Sequence, residues 1–466
     1  MSYNRTAWRQ DIHPGLLTDM YHPDAAYISW LNGRNGVATF DLYTRKAPFD
    51  GSYLLFAGLE QALEFIRDFR YTPEDLRFLA QIRDYHPGFL EELESLRFTG
   101  DLLAMPEGSI AFPNEPLLRV TAPFREALLV EAGLLNAINL ATLIATKASR
   151  IVYAARGRRV SEFSFRRAQE PFVVARSAFI GGCSSTSFLA AAYQYRLLAT
   201  GTIPHALVQI FEDEQSAFEA VARTYNRYTL LLDTYDVQRA IHVAVDVALA
   251  TQRELGHTLA AVRLDSGDLL NDSLLVRAVL DEAGLAEVRI LASGDLDEFS
   301  IADLLANGAP IDGFGVGTHL GVGAGSVTHG IPGGFLGGVY KLVHYADTIQ
   351  DDRPLMKHAP GKATWPGKKE VYRVGQYEHD VVALEAEPAP PRATRLLRPV
   401  VRNGVVLSGS LPPLSEIWEL AQRNLQSLPE CYRLLKDAAA YPVQFSRALE
   451  NLRKELAHEE KTENGA

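Results

Sequence analysis

Between Glu162 and His205 the chain places Phe163, the paired arginines Arg166 and Arg167, the run Gly181-Gly182-Cys183-Ser184-Ser185-Thr186-Ser187, and Gly201-Thr202-Ile203-Pro204-His205. Arginines close to an aromatic ring suit a flat anionic ligand, because guanidinium pairs oxyanions bidentately while the ring stacks on a planar partner. Glycines and hydroxyl residues add backbone and side-chain donors. Each piece alone also has a plainer reading: Phe163 as core, Arg166 and Arg167 as a solvated face, Gly181-Gly182 as a turn. Their concentration in one stretch is what points to a binding site.

A second set of candidates falls at strand ends. Leu230-Leu231-Leu232 runs into Asp233, Ala260 to Leu264 into Asp265, Val288 to Ala292 into Ser293-Gly294-Asp295, and Gly313-Phe314-Gly315-Val316 into Gly317-Thr318. Short apolar strands separated by helical stretches predict βα units and a parallel sheet or barrel. The C-terminal strand ends of such barrels carry the site, so these polar residues would ring one mouth. Any one of them, Asp233 or Asp295 for instance, can instead cap the following helix. Arg263 can likewise be a structural ion pair with Asp265 or Asp268.

The elements around them divide into an N-terminal α+β domain (1–125), an α/β barrel domain with the site (126–350), a loop and strands returning to the first domain (351–411), and C-terminal helices with a tail (412–466). Helical spacing runs over Tyr53 to Phe69 and over Thr72 to Arg83, the latter opened by a capping box at Thr72-Pro73-Glu74-Asp75. Ser109 to Thr121 reads as strand, bent or edged at Pro113 and Pro116. Gly321 to Gly338 is glycine-rich and serves equally as a phosphate-cradling loop or a flexible connection. Asp351 to Lys369 reads as a surface loop, Glu370 to Leu407 as strands broken by prolines at Glu385 to Pro391, Leu414 to Ala457 as helix, and Glu459 onward as a charged tail.

With 466 residues, 47% of them hydrophobic, the chain can bury large cores in two or three domains. A formal charge of -11 argues against broad binding to nucleic acid or anionic membranes, so an anionic ligand would be held by a local arginine cluster. The two cysteines, Cys183 and Cys431, form neither a zinc framework nor a disulfide scaffold and fit a reducing compartment. Met1 to Asp11 lacks the apolar core of a signal peptide, which predicts a cytoplasmic protein. The apolar segment Phe124 to Ala155 is interrupted by Arg125, Glu126, Glu131, Lys147 and Arg150, as a buried helix is and a membrane span is not.

Several runs in one order carry a family resemblance: Leu17-Thr18-Asp19-Met20-Tyr21, Phe56-Ala57-Gly58-Leu59, Phe112-Pro113-Asn114-Glu115-Pro116, Ala145-Thr146-Lys147-Ala148-Ser149-Arg150, Glu162-Phe163-Ser164-Phe165-Arg166-Arg167, Asp233-Thr234-Tyr235-Asp236, Arg263-Leu264-Asp265-Ser266-Gly267-Asp268 and Phe314-Gly315-Val316-Gly317-Thr318. Over nearly its whole length the chain resembles the nicotinate phosphoribosyltransferases. The resemblance implies an irregular (β/α) barrel, a second α/β (α+β) domain built from both chain ends, and a homodimer with active sites at the subunit interface. It implies the reaction of nicotinate with phosphoribosyl pyrophosphate to nicotinate mononucleotide and pyrophosphate, the first step of NAD salvage from nicotinate. ATP would be a co-substrate, hydrolysed through a phosphohistidine, and Mg²⁺ the cofactor.

By the same resemblance Tyr21, from the partner subunit, and Phe163 sandwich the pyridine ring. Thr202 and Arg263 contact nicotinate, Thr318 the phosphoribosyl group, and His205 carries the phosphate. Arg166, Ser187, Gly294, Asp295 and Gly317 join the substrate-binding candidates. Asp233 and Asp265 are candidates for the ribose or the metal, with His205, Arg263 and Asp265 the catalytic set. Ser187 stands where nicotinamide-using relatives carry an aspartate. Around the histidine, Pro204 and Ala206 depart from the family's Ala-His-Ser, and Ser164 replaces its usual glycine.

Overall fold

The structure, a computed structural model, describes residues 13–347, 351–357 and 363–463. The expected polar N-terminus, Met1 to Asp11, lies outside them. The chain divides into two units, one of residues 1–146 and 335–466 and the other of 147–334, with the first boundary inside the helix Glu131–Ala154.

The first unit is built on a seven-stranded sheet in the order 352–354, 338–346, 37–44, 118–123, 101–104, 398–402, 405–406. Within this sheet Arg398–Arg402 pairs antiparallel with Asp101–Ala104. A four-stranded sheet holds Lys369–Val374, His379–Leu384, Ala393–Arg395 and Val443–Phe445.

Local chemistry explains where the elements depart from expectation. The helix expected from Tyr53 is only Leu59–Asp68, because Leu54–Leu55 pairs with Ile110–Ala111 as a strand. Gly58 between them takes φ 101°, and the Glu107 carboxylate accepts from the amides of Gly58 and Leu59 at 2.7 and 3.2 Å. The next helix, Pro73–Ile82, opens on the expected capping box at Thr72 and Asp75. Ser109 to Thr121 is two strands, Ile110–Ala111 and Leu118–Pro123, in different sheets. Of the expected loop from Asp351, residues Asp352–Pro354 are a strand, and 358–362 lie outside the described residues. The C-terminal helical stretch is interrupted by the strand Val443–Phe445, and helix Arg447–Glu463 continues into the expected tail.

The second unit is a parallel sheet of six strands: β1 (Arg159–Glu162), β2 (Ser185–Thr186), β3 (Arg227–Leu231), β4 (Thr258–Leu264), β5 (Arg289–Ala292) and β6 (Gly313–Val316), in the order β2-β1-β6-β5-β4-β3. Helices connect them, as βα units require. The sheet curls so that one face of every strand borders a single cavity of about 210 Å³. Phe124–Ala154 is long and apolar enough to cross a membrane. Its Lys147 and Arg150 are nonetheless buried and both paired to Glu298, so that end is core helix, with its cations held by a carboxylate inside the protein.

The glycine-rich stretch makes a tight hairpin. Ser326 and Ile331 bridge, and a Cβ on Gly325 would lie 2.0 Å from the carbonyl oxygen of Ile331. Only glycine permits that approach.

Candidate active site

Side chains alternate along a strand, so every second residue of each strand faces the cavity. Arg263, near the end of β4, is the most heavily constrained of them. Its Nε donates to Ser293 Oγ at 2.7 Å, Nη1 to Thr202 Oγ1 at 2.7 Å, and Nη2 to Asp265 Oδ1 at 2.6 Å. The ion pair with Asp265 is therefore real, and Arg263 borders the cavity as well. A guanidinium has five N–H donors, so these bonds leave one on each terminal nitrogen. Those spare donors can serve an anion such as a carboxylate.

Phe163 extends β1, its amide donating to Val316 O at 2.9 Å, and its ring centroid lies 6.0 Å from the Arg263 guanidinium carbon. Gly315 makes room for the ring, since a Cβ there would lie 2.4 Å from it. The turn after Phe163 is fastened by Glu162, which is buried. Glu162 Oε1 accepts from the Ser164 amide at 2.5 Å and from the Ser164 hydroxyl, and Oε2 accepts from Thr186 Oγ1 at 2.5 Å. Ser164 thus has a structural role, which its side chain could not play as glycine.

His205 opens the short helix His205–Gln209. Its Nδ1 lies 3.1 Å from Thr234 Oγ1, and its Nε2 lies 3.7 Å from Asp265 Oδ2, beyond hydrogen-bond range. Burial raises the Asp265 pKa, but the Ser293 hydroxyl at 2.5 Å and the Arg263 guanidinium outweigh it, holding the carboxyl below the usual carboxylate range. Asp233 Oδ2 accepts from the Asp265 amide at 3.0 Å and the Ser266 hydroxyl at 2.5 Å, while its Oδ1 is buried with no hydrogen-bond partner among the described residues.

Neither Asp233 nor Asp295 caps a helix: Asp236 and Asp297 do so instead. Gly294 takes φ 93°, and a Cβ on it would lie 1.8 Å from the carbonyl oxygen of Asp265, so it locks the ends of β4 and β5 together. Asp295 is exposed beside it at φ 44° and borders a separate cavity with His319. Gly317 sits against the backbone of Phe163, and Thr318 begins the helix Thr318–Gly321.

The structure thus brings together His205, Arg263, Asp265, Thr202, Asp233, Gly294 and Phe163. Arg166 and Ser187 are exposed and do not border the Arg263 cavity; the Ser187 amide donates to Glu162 O at 2.9 Å. Tyr21 belongs to the first unit, where it starts the helix Tyr21–Leu31 and is 56% exposed. The sequence places Ser293 at a strand end and Thr234 and Glu162 in family runs, but it does not reveal their partnerships: Ser293 with Arg263, Thr234 with His205, and Glu162 with Ser164 and Thr186.

Among the described residues no three His, Cys, Asp or Glu side chains converge as a metal cage. Mg²⁺ seldom needs one, being held by one or two carboxylates and substrate phosphates. Oδ1 of Asp233, buried and without a hydrogen-bond partner among the described residues, fits that mode.

Residues 16–139 match the N-terminal domain of nicotinate phosphoribosyltransferase (NAPRTase), and residues 383–453 its C-terminal domain. A nicotinate phosphoribosyltransferase of Mycobacterium tuberculosis is 41% identical, covering 92% of this chain and 91% of its own. That of Bacillus subtilis is 37% identical over 96% of both chains. The crystal structure of human nicotinic acid phosphoribosyltransferase superposes with a TM-score of 0.82 at 30% identity, covering 95% of this chain and 100% of its own.

Proposed function

The chain belongs to the nicotinate phosphoribosyltransferase family of transferases, and from that membership we propose that it joins nicotinate to phosphoribosyl pyrophosphate with hydrolysis of ATP through a phosphate on His205. The products are nicotinate mononucleotide and pyrophosphate, and the role is the first step of NAD salvage from nicotinate.

The observation that carries this reading is the pair of spare N–H donors of Arg263 beside the ring of Phe163. A pyridine ring lying on Phe163 with its carboxylate on those donors satisfies both its apolar face and its charge. The ring nitrogen attacks the anomeric carbon and the bond to pyrophosphate breaks, so no protein nucleophile takes part in the transfer. Holding the two reactants in line is then the protein's main task, worth up to ~7–11 kcal/mol in well-oriented systems. Asp265 and Asp233 face positive charge, on the ribose as it develops and on Mg²⁺ respectively. When bound with the pyrophosphate, Mg²⁺ neutralises the leaving charge, and Asp233 Oδ1 is the atom available to hold it.

If Thr234 accepts from Nδ1–H of His205, the lone pair rests on Nε2, which has no hydrogen bond among the described residues and is the nucleophile toward the γ-phosphate of ATP. ATP gives ADP and the phosphorylated imidazole, which water later hydrolyses. The exposed Tyr21 suits a homodimer in which Tyr21 of the partner subunit covers the other face of the pyridine ring. Both cysteines are free, as in the cytoplasm.

Product analysis with nicotinate, nicotinamide and quinolinate, each with and without ATP, tests the proposal. Nicotinate mononucleotide should form fastest, and ATP should stimulate it. Equal use of nicotinamide would contradict the role of Arg263, and indifference to ATP would contradict the phosphohistidine.

A further inference from the structure

Three of the barrel strands begin with arginine: Arg159 in β1, Arg227 in β3 and Arg289 in β5. In the sheet order β2-β1-β6-β5-β4-β3 these are alternate strands. Alternate strands of a barrel supply one interior layer, so the three side chains form one layer at the N-terminal end, opposite the candidate active site. All three border the same cavity that ends at Phe163, Arg263 and Ser293.

Arg263 has three partners, but among the described residues these three arginines have none. Each is exposed, and none makes an ion pair or hydrogen bond with another described residue. Converging, uncompensated guanidiniums repel one another, and here they persist in a chain of formal charge -11, where acidic side chains are plentiful. An anion shared among them removes that repulsion. Immediately above them the cavity wall carries hydroxyls, with Ser161 Oγ 2.8 Å from Ser185 Oγ and Thr229 on β3.

We propose that the N-terminal mouth of the barrel is a second anion site, which takes a small phosphate: the inorganic ion or the phosphate end of a nucleotide. Phosphate fits better than carboxylate because it offers more oxygens and up to two charges to three forked donors. Ser293 lies four positions beyond Arg289, and a strand rises ~3.3 Å per residue, so the layer begins about 13 Å along the chain from Ser293. It is therefore distinct from the pyrophosphate position at the C-terminal strand ends.

The test reads binding and so stands apart from turnover and from the phosphohistidine. Inorganic phosphate, ATP and acetate are titrated calorimetrically into the parent and the triple variant R159Q/R227Q/R289Q. Each lost charged hydrogen bond is worth about a tenfold in affinity, so the triple variant should bind inorganic phosphate at least ~10-fold more weakly. It should also keep the parent's melting transition. ATP weakened alongside phosphate assigns nucleotide phosphates to the site, and phosphate weakened alone assigns the free ion. Should the triple variant lose its melting transition, the single variants R159Q, R227Q and R289Q replace it, and each must weaken phosphate. Phosphate affinity equal to the parent's in the folded variants overturns the proposal, as does acetate binding as tightly as phosphate at a site the variants abolish.

Discussion

Nη2 of Arg263 lies 2.6 Å from Oδ1 of Asp265, two residues further along the chain. Asp265 follows β4 by one residue, so the strand's alternation carried one step past its end sets both side chains on one side, and the pair is local in sequence. Thr202 and Ser293 then fix the rest of the guanidinium from two other segments.

Arg263→Ala should therefore cost ~10²–10³ in kcat/KM for nicotinate, the usual effect of losing one well-placed charge-stabilising donor. Lysine should rescue poorly, because one ammonium cannot bond Thr202, Ser293 and Asp265 and still present spare donors. Steady-state kinetics decide it, and near-normal efficiency in the alanine variant would take Arg263 out of the site.

Asp265 gives a pH signature. Its folded pKa lies below the ordinary aspartate value of about 3.9, which the unfolded chain retains. Stability from this group is thus complete above the ordinary value and is lost as pH falls through the lower folded value. Denaturant melts of parent and Asp265→Asn should show a stability gap that is constant near neutrality and narrows in acid below about pH 4. A gap unchanged throughout that range would mean the carboxylate is not held by Arg263 and Ser293.

Glu162 accepts three hydrogen bonds while buried, so Glu162→Gln turns an amide N–H₂ toward donors it cannot accept from. The expected loss is about 1–3 kcal/mol of stability by chemical denaturation. Because the same carboxylate fastens the turn after Phe163, KM for nicotinate should rise as well. A variant as stable as the parent would show that these bonds contribute nothing net.

His205→Ala should abolish an acid-labile adduct formed from γ-labelled ATP and leave at most slow synthesis indifferent to ATP. Thr234→Val, which removes the partner of Nδ1, should reduce labelling without abolishing it, since the imidazole remains but its tautomer is no longer fixed. Full ATP stimulation in His205→Ala would place the phosphate elsewhere.

Much of this protein was legible from order and spacing alone. The four strand ends at Asp233, Asp265, Ser293 and Gly317 were set by short apolar runs stopping at polar residues, a local pattern that backbone geometry obeys within a residue or two. The capping box at Thr72 was local in the same way. The family's motifs supplied His205, Thr202 and Phe163. What spacing could not supply was pairing between distant segments. Tyr53 to Ala57 has apolar residues suited to a helix, yet Leu54–Leu55 is a strand because Ile110–Ala111 lies beside it. Ser293 becomes a partner of Arg263, and Thr234 of His205, only when the curled sheet brings β3, β4 and β5 to one mouth. The arginine layer of Arg159, Arg227 and Arg289 exists only in the strand order, which makes β1, β5 and β3 alternate across the sheet although their sequence positions give no hint of it. A chain writes its local preferences residue by residue, but which faces meet depends on how strands order themselves to bury their apolar sides, and that is decided by the whole fold at once.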